Sequence, residues 1–100
     1  MEPDLVFDRV LRRFRDLVQV GRYVMTTHAV DEMEDDRFTV YDVESCVLTG
    51  KIVERQRDAK TAEWKYRIQG ESLSGHDMEV VGKVTPTGKV AILTVYALKG

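Results

Sequence analysis

The sequence predicts an α+β fold in which N-terminal helices pack on a four-stranded antiparallel β-sheet, and three observations predict it. Up to Thr49 the apolar residues recur at three- and four-residue steps, as on one face of a helix. Beyond Gly50 they alternate, as along a strand. Between the two regimes, Thr39-Val40-Tyr41-Asp42 reads as a helix start and Gly50 as its stop.

From Asp4 to Val20 the pattern is that of a first helix. Val6, Phe7, Val10, Leu11, Phe14, Leu17 and Val18 form one apolar stripe, with Arg9, Arg12 and Asp16 opposite. Pro3 suits the first turn and Gly21 the exit. The stripe can cap the sheet or form a dimer interface, since either buries the same residues. Arg22 to Thr26 is a short strand candidate. Thr26 or Thr27 then offers an N-cap hydroxyl to a second helix, whose Ala29 and Met33, helped by Val30, face inward while Asp31, Glu34 and Asp35 face water.

Phe38 restarts the chain as a hydrophobic staple ahead of a third helix, where Thr39 caps and Asp42 answers it three residues on. Val40, Val43 and Val47 form its expected buried stripe, with Cys46 at the edge as a small hydrophobe. Gly50 is expected at positive φ as the C′ residue. Ile52–Arg57 and Glu63–Gln69 then read as a hairpin around Asp58-Ala59-Lys60-Thr61, with Trp64, Tyr66 and Ile68 alternating against Lys65, Arg67 and Gln69. The turn-rich Gly70–Gly75 leads to a strand over Asp77–Thr85. After a tight reversal at Thr85-Pro86-Thr87-Gly88 comes Val90–Leu98, whose two alternating sets are both apolar, predicting a central strand.

Composition narrows the function classes. With 43% apolar and 32% charged residues over 100 positions, the chain suits one soluble domain and contains no stretch apolar enough to span a membrane. Its start, MEPDLVFDRVLRRF, has no apolar signal region, and a cytoplasmic location is expected. A single cysteine rules out an intrachain disulfide and a zinc-knuckle spacing. The charge is uneven. Residues 1–22 carry five arginines against four acids; residues 23–50 set Arg37 against seven acids; residues 51–100 hold nine bases against six acids. An RNA contact is therefore expected only from the second half.

Several residue sets can carry chemistry. His28, at the start of a helix with Asp31 and Glu32 one turn on, suits a general acid or base, or equally a local hydrogen bond that pins the corner. With Glu32 it also forms an i, i+4 pair, but a metal site needs a third ligand that the sequence does not designate, and His76 joins only if its loop folds back. No metal and no cofactor are expected. Arg55, Arg57, Lys65 and Arg67 lie on paired strands, where they can gather positive charge on one sheet face for phosphate, or simply form a solvated outer face. Thr94 and Tyr96 share a face of the last strand, and a hydroxyl and a phenol in so apolar a run need partners.

Thr27-His28-Ala29, Met33, the Phe38-Thr39 restart, Asp42-Val43, Gly50-Lys51-Ile52, the strand from Tyr66 to Gly70 and the closing Ile92-Leu93-Thr94-Val95-Tyr96 resemble, in order and spacing, the family catalogued as domain of unknown function 4258. The resemblance covers residues 22–98, leaving 1–21 as an N-terminal helical extension. It implies a compact relative of the RelE, barnase and colicin ribonucleases, and for some members a toxin paired with a zinc-finger antitoxin. It also implies metal-independent RNA cleavage, in which a base takes the 2′-hydroxyl proton and cations hold the phosphate. His28 matches the family histidine, Arg67 falls where a basic residue can face phosphate, and Thr94 and Tyr96 match the last strand. Glu32 and Asp36 stand where the family usually has arginines, which should repel RNA from the second helix.

Two functions follow from this reading. One is a toxin-like or degenerate endoribonuclease, with His28, Arg67, Tyr96 and Thr94 as catalytic candidates and Arg55, Arg57 and Lys65 as substrate-binding ones. The other is a non-catalytic module whose acidic helix docks a basic partner protein.

Overall fold

The computed structural model describes residues 5–98, with side chains from Phe7 onward. Pro3 and the Val6 side chain, assigned above to the first helix, lie outside the described residues. The order is α1 (Leu5–Gln19), β1 (Tyr23–Met25), α2 (Thr27–Asp35), α3 (Val40–Thr49), β2 (Lys51–Arg57), β3 (Trp64–Glu71), β4 (Asp77–Val84) and β5 (Val90–Ala97).

The sheet has five strands in the order β1-β5-β4-β3-β2 and is mixed, not four-stranded and antiparallel. The extra strand is β1, which runs parallel to β5 with Tyr23 opposite Val90 and Met25 opposite Ile92. The sequence predicts a short strand over Arg22–Thr26 but not its place in the sheet, because its partner lies at the far end of the chain. The middle strand is β4, where Met78 to Gly82 are all buried. β5 stands beside it, so its apolar character reflects a place between β4 and β1 instead of the centre.

α1 supplies the core stripe. Phe14 is fully buried with Leu17 and Val18 close behind, and its ring meets Tyr66 edge-on at 5.9 Å. Arg15 of the same helix donates to Val47 O at 3.1 Å and Gly50 O at 2.7 Å, answering the orphan carbonyls at the end of α3. α3 begins with the predicted capping box: Thr39 Oγ1 accepts from Asp42 N–H, and the Asp42 carboxylate accepts from Thr39 N–H at 2.8 Å. That backbone bond is the main reason the Asp42 carboxyl lies below its usual value. Val43, Cys46 and Val47 are buried, but Val40 is exposed, because at the first helical position it points past the sheet.

Gly50 is not at positive φ. It is extended, with φ −90° and ψ −172°. Its glycine is needed for space: a Cβ there would stand 2.5 Å from Cys46 O, and one on Gly70 would strike the same carbonyl and come within 2.9 Å of Gly50 Cα. The two glycines let the end of α3 lie directly on β3. Cys46 is sealed beneath this contact, with Sγ against the Ile68 and Met78 carbonyls, and burial pushes its thiol up to about 12. It is a core residue and not a nucleophile.

Candidate functional site on the open sheet face

Strand register decides which candidate residues meet. β2 carries a bulge between Ile52 and Glu54. Ile52 pairs with the buried Ile68, and beyond the extra residue Glu54 pairs with Arg67, Arg55 with Tyr66 and Arg57 with Trp64. Residues directly opposite share a face. Arg55 and Arg57 therefore lie on the helix-packed side with Tyr66, while Lys65 and Arg67 lie on the open side. The four bases do not form one patch, because the one-residue insertion switches the side of every β2 residue after it.

On the open face, neighbouring rungs read Gln69–Glu79–Tyr96 and Arg67–Val81–Thr94 across β3, β4 and β5. Three sequence candidates, Arg67, Thr94 and Tyr96, thus share a face with Glu79; Tyr96 lies directly opposite it and Thr94 one rung on. The sequence reading passed over Glu79. Its one signal was an acid inside the apolar run Met78-Glu79-Val80-Val81. Glu79 is 0% exposed. Arg67 grips it through two parallel bonds, Nε to Oε2 at 3.0 Å and Nη2 to Oε1 at 2.9 Å, and Gln69 Nε2 donates to Oε1 at 2.9 Å. Arg67 Nη1 also reaches Glu54 Oε1 at 3.0 Å. These bonds, Glu79 first and Glu54 second, hold the guanidinium above its ordinary value. The Arg67 side chain keeps 32% of its surface, so the cluster is reached from solvent through the arginine.

His28 stands apart on α2. Its side chain is 71% exposed, with Nε2 at 3.2 Å from Glu32 Oε1. The same oxygen accepts the backbone N–H of Val95, between Thr94 and Tyr96, at 3.1 Å. Among the described interactions, none joins His28 directly to Arg67, Thr94 or Tyr96. Among the described residues, no group of three His, Cys, Asp or Glu side chains is placed to hold a metal. His76 stays in its own loop, donating its backbone N–H to Ser72 Oγ.

A family model described as domain of unknown function (DUF4258) matches residues 25–97. The chain belongs to this family. The DUF4258 match begins at Met25, the last residue of β1, and ends with β5, and so contains α2, α3 and the whole of β2 to β5. No curated protein and no solved structure matches the chain.

The acidic stretch of this DUF4258 member is largely used internally. Glu32 and Asp36 accept N–H groups of Val95 and Ala97, Asp42 closes the capping box and takes the Leu73 N–H, and Glu44 accepts from the Tyr23 hydroxyl at 2.5 Å. Burial, and then the bond to Glu44, raise that phenol to about 12. Asp31, Glu34 and Asp35 remain exposed. No helix among the described residues is long and apolar enough to cross a membrane.

Proposed function

We propose that the open sheet face is the working surface of a metal-independent endoribonuclease of the toxin type. The observation that carries this reading is the fork of Arg67 onto the buried carboxylate of Glu79, with Tyr96 and Thr94 on the same face of the next strand. A charged pair under a sheet face is a costly device where apolar side chains would serve stability as well, and such clusters concentrate at functional sites. The resemblance to RelE and barnase relatives points the same way, since it implies a base beside cations.

In this reading the RNA phosphate takes over the Arg67 guanidinium. That exchange frees Glu79 to accept the 2′-hydroxyl proton as the 2′-oxygen attacks phosphorus. The 5′-oxygen leaves with a proton, and the product carries a 2′,3′-cyclic phosphate. Tyr96 and Thr94 flank the phosphate as hydrogen-bond donors, and Lys65 adds positive charge on the same face. His28, exposed on α2 and linked to β5 only through Glu32, is the candidate second proton carrier. The test is cleavage of labelled single-stranded RNA with and without chelator, beside Glu79→Gln and His28→Ala. Chelator-resistant cleavage lost in Glu79→Gln supports the reading; equal activity in wild type and Glu79→Gln overturns it.

A second reading is favoured by the exposed carboxylates of Asp31, Glu34 and Asp35. They suit a basic partner protein, such as an antitoxin, docking on α2. Arg67→Ala abolishes cleavage under the first reading and leaves partner binding intact under the second.

A further inference from the structure

The side of the sheet that Arg55 and Arg57 reach holds a groove of about 450 Å³ between α1 and the ends of β3 and β4. Its floor is apolar, built from Val10, Tyr66 and Val84. Along one wall stand Arg9 and Arg13, one helical turn apart and both exposed. The other wall is Trp64, with the guanidinium carbons of Arg55 and Arg57 at 4.1 and 4.5 Å from its ring centroid. Two arginines therefore line the groove, and two more stack on its tryptophan wall. The one acid in its lining, Glu63, is bonded to Lys83 at 3.1 Å, which also holds its carboxyl below the usual value.

We propose that this groove docks an acidic peptide segment of a partner protein, with an apolar side chain on the floor and carboxylates forked by the bordering arginines. Charge complementarity selects an anion, and the details select a peptide over RNA. Stacking a base requires a free aromatic face, and the Trp64 ring is already engaged by two guanidiniums. Those stacked guanidiniums keep N–H edges to offer, which suits bidentate carboxylates. The floor presents apolar surface where an aliphatic or aromatic anchor gains more than a sugar would. Tryptophan and arginine are also the residues that most often dominate peptide and protein docking. The site is independent of the ribonuclease reading, because it lies on the opposite face of the sheet from Glu79.

The experiment is a selection of short peptides from a random display library on the full chain, followed by titration of the enriched peptide. Trp64 is the only tryptophan, so its emission reports the groove directly. The expected result is enrichment of Asp and Glu beside an apolar residue, a shift in Trp64 emission on binding, and about tenfold weaker affinity in Arg13→Glu. Arg12→Glu makes the same charge change on the same helix outside this groove and should bind as wild type does; circular dichroism checks that both variants fold. Enrichment without acidic residues, or equal affinity in Arg13→Glu, overturns the proposal. So does binding of a single-stranded RNA oligonucleotide with the same arginine dependence where peptides fail, or a wild-type dimer that Arg13→Glu dissociates.

Discussion

Glu32 Oε1 accepts the backbone N–H of Val95 at 3.1 Å, and one turn later Asp36 Oδ2 accepts that of Ala97 at 2.9 Å. Past Ile92, β5 has no strand on that side, because β1 ends at Met25 and the chain turns into α2. Two carboxylates continue the ladder that β1 began. An open strand edge invites pairing with another chain, and here a helix closes it with side chains. The acids at these two positions thus have a structural task.

Removing either acceptor leaves a strand N–H without its partner. Glu32→Ala and Asp36→Ala should each destabilise the fold by about 1–2 kcal/mol. Glu32→Gln keeps an acceptor oxygen and should lose less than half as much. Urea unfolding of the four proteins decides it, and equal loss in Glu32→Gln and Glu32→Ala would remove the edge-closing role.

Much of the fold was legible in the sequence because its signals were local. The capping box needs only Thr39 and Asp42, and the hairpin needs only alternation and a turn. What escaped was non-local. Nothing near Tyr23–Met25 announces a parallel partner at Val90–Ile92. A one-residue bulge in β2 has no sequence mark, yet it sends Arg55 and Arg57 to one face and leaves Arg67 on the other. Glu79 was passed over, since its burial depends on Arg67 and Gln69 from a neighbouring strand.

The contact between α3 and β3 gives a sharp steric prediction. Gly70→Ala would press a methyl group onto Cys46 O and Gly50 Cα, both backbone atoms that cannot rotate away. The expected cost is about 3 kcal/mol or more. Gly75→Ala, where no atom lies within 4 Å, suffers only its positive φ of +83° and should cost about 1 kcal/mol. Thermal melts of the two variants compare the cases.

Asp42 ties stability to pH. Its folded value is lowered, chiefly by the Thr39 N–H. The contribution is therefore complete above the unfolded value of about 4 and is lost as pH falls through the folded one. Asp42→Asn should flatten the acid limb of the stability profile while changing neutral stability modestly. Thr39→Ala should cost about 1 kcal/mol at neutral pH by removing the N-cap hydroxyl. Denaturant midpoints between pH 2 and pH 7 test both.

The Arg67–Glu79 pair should respond asymmetrically. Arg67→Ala strands a carboxylate that is wholly buried, whereas Glu79→Gln leaves an arginine that can turn to Glu54 and to water. Arg67→Ala should be the more destabilising. In that variant the carboxylate keeps only the Gln69 bond in place of the arginine fork, and urea midpoints of the two variants compare the losses. An Arg67→Ala variant no less stable than Glu79→Gln would show that the carboxylate has found another partner.

The proposed cleavage would separate the roles within the open face. If Glu79 takes the 2′-hydroxyl proton, Glu79→Gln should lower kcat by about 10²–10⁴ with KM nearly unchanged, since the amide keeps the shape but cannot accept the proton. Arg67→Lys keeps a charge and loses the fork, so it should raise KM and reduce kcat together. Tyr96→Phe should reduce kcat less than Glu79→Gln does, because Thr94 and Lys65 still face the phosphate. Arg55→Ala and Arg57→Ala should leave cleavage unchanged, since the bulge in β2 holds both arginines on the far side of the sheet. Single-turnover kinetics on a labelled RNA oligonucleotide read all five variants. Loss of cleavage in Arg55→Ala at full strength in Glu79→Gln would move the site to the helix-packed side.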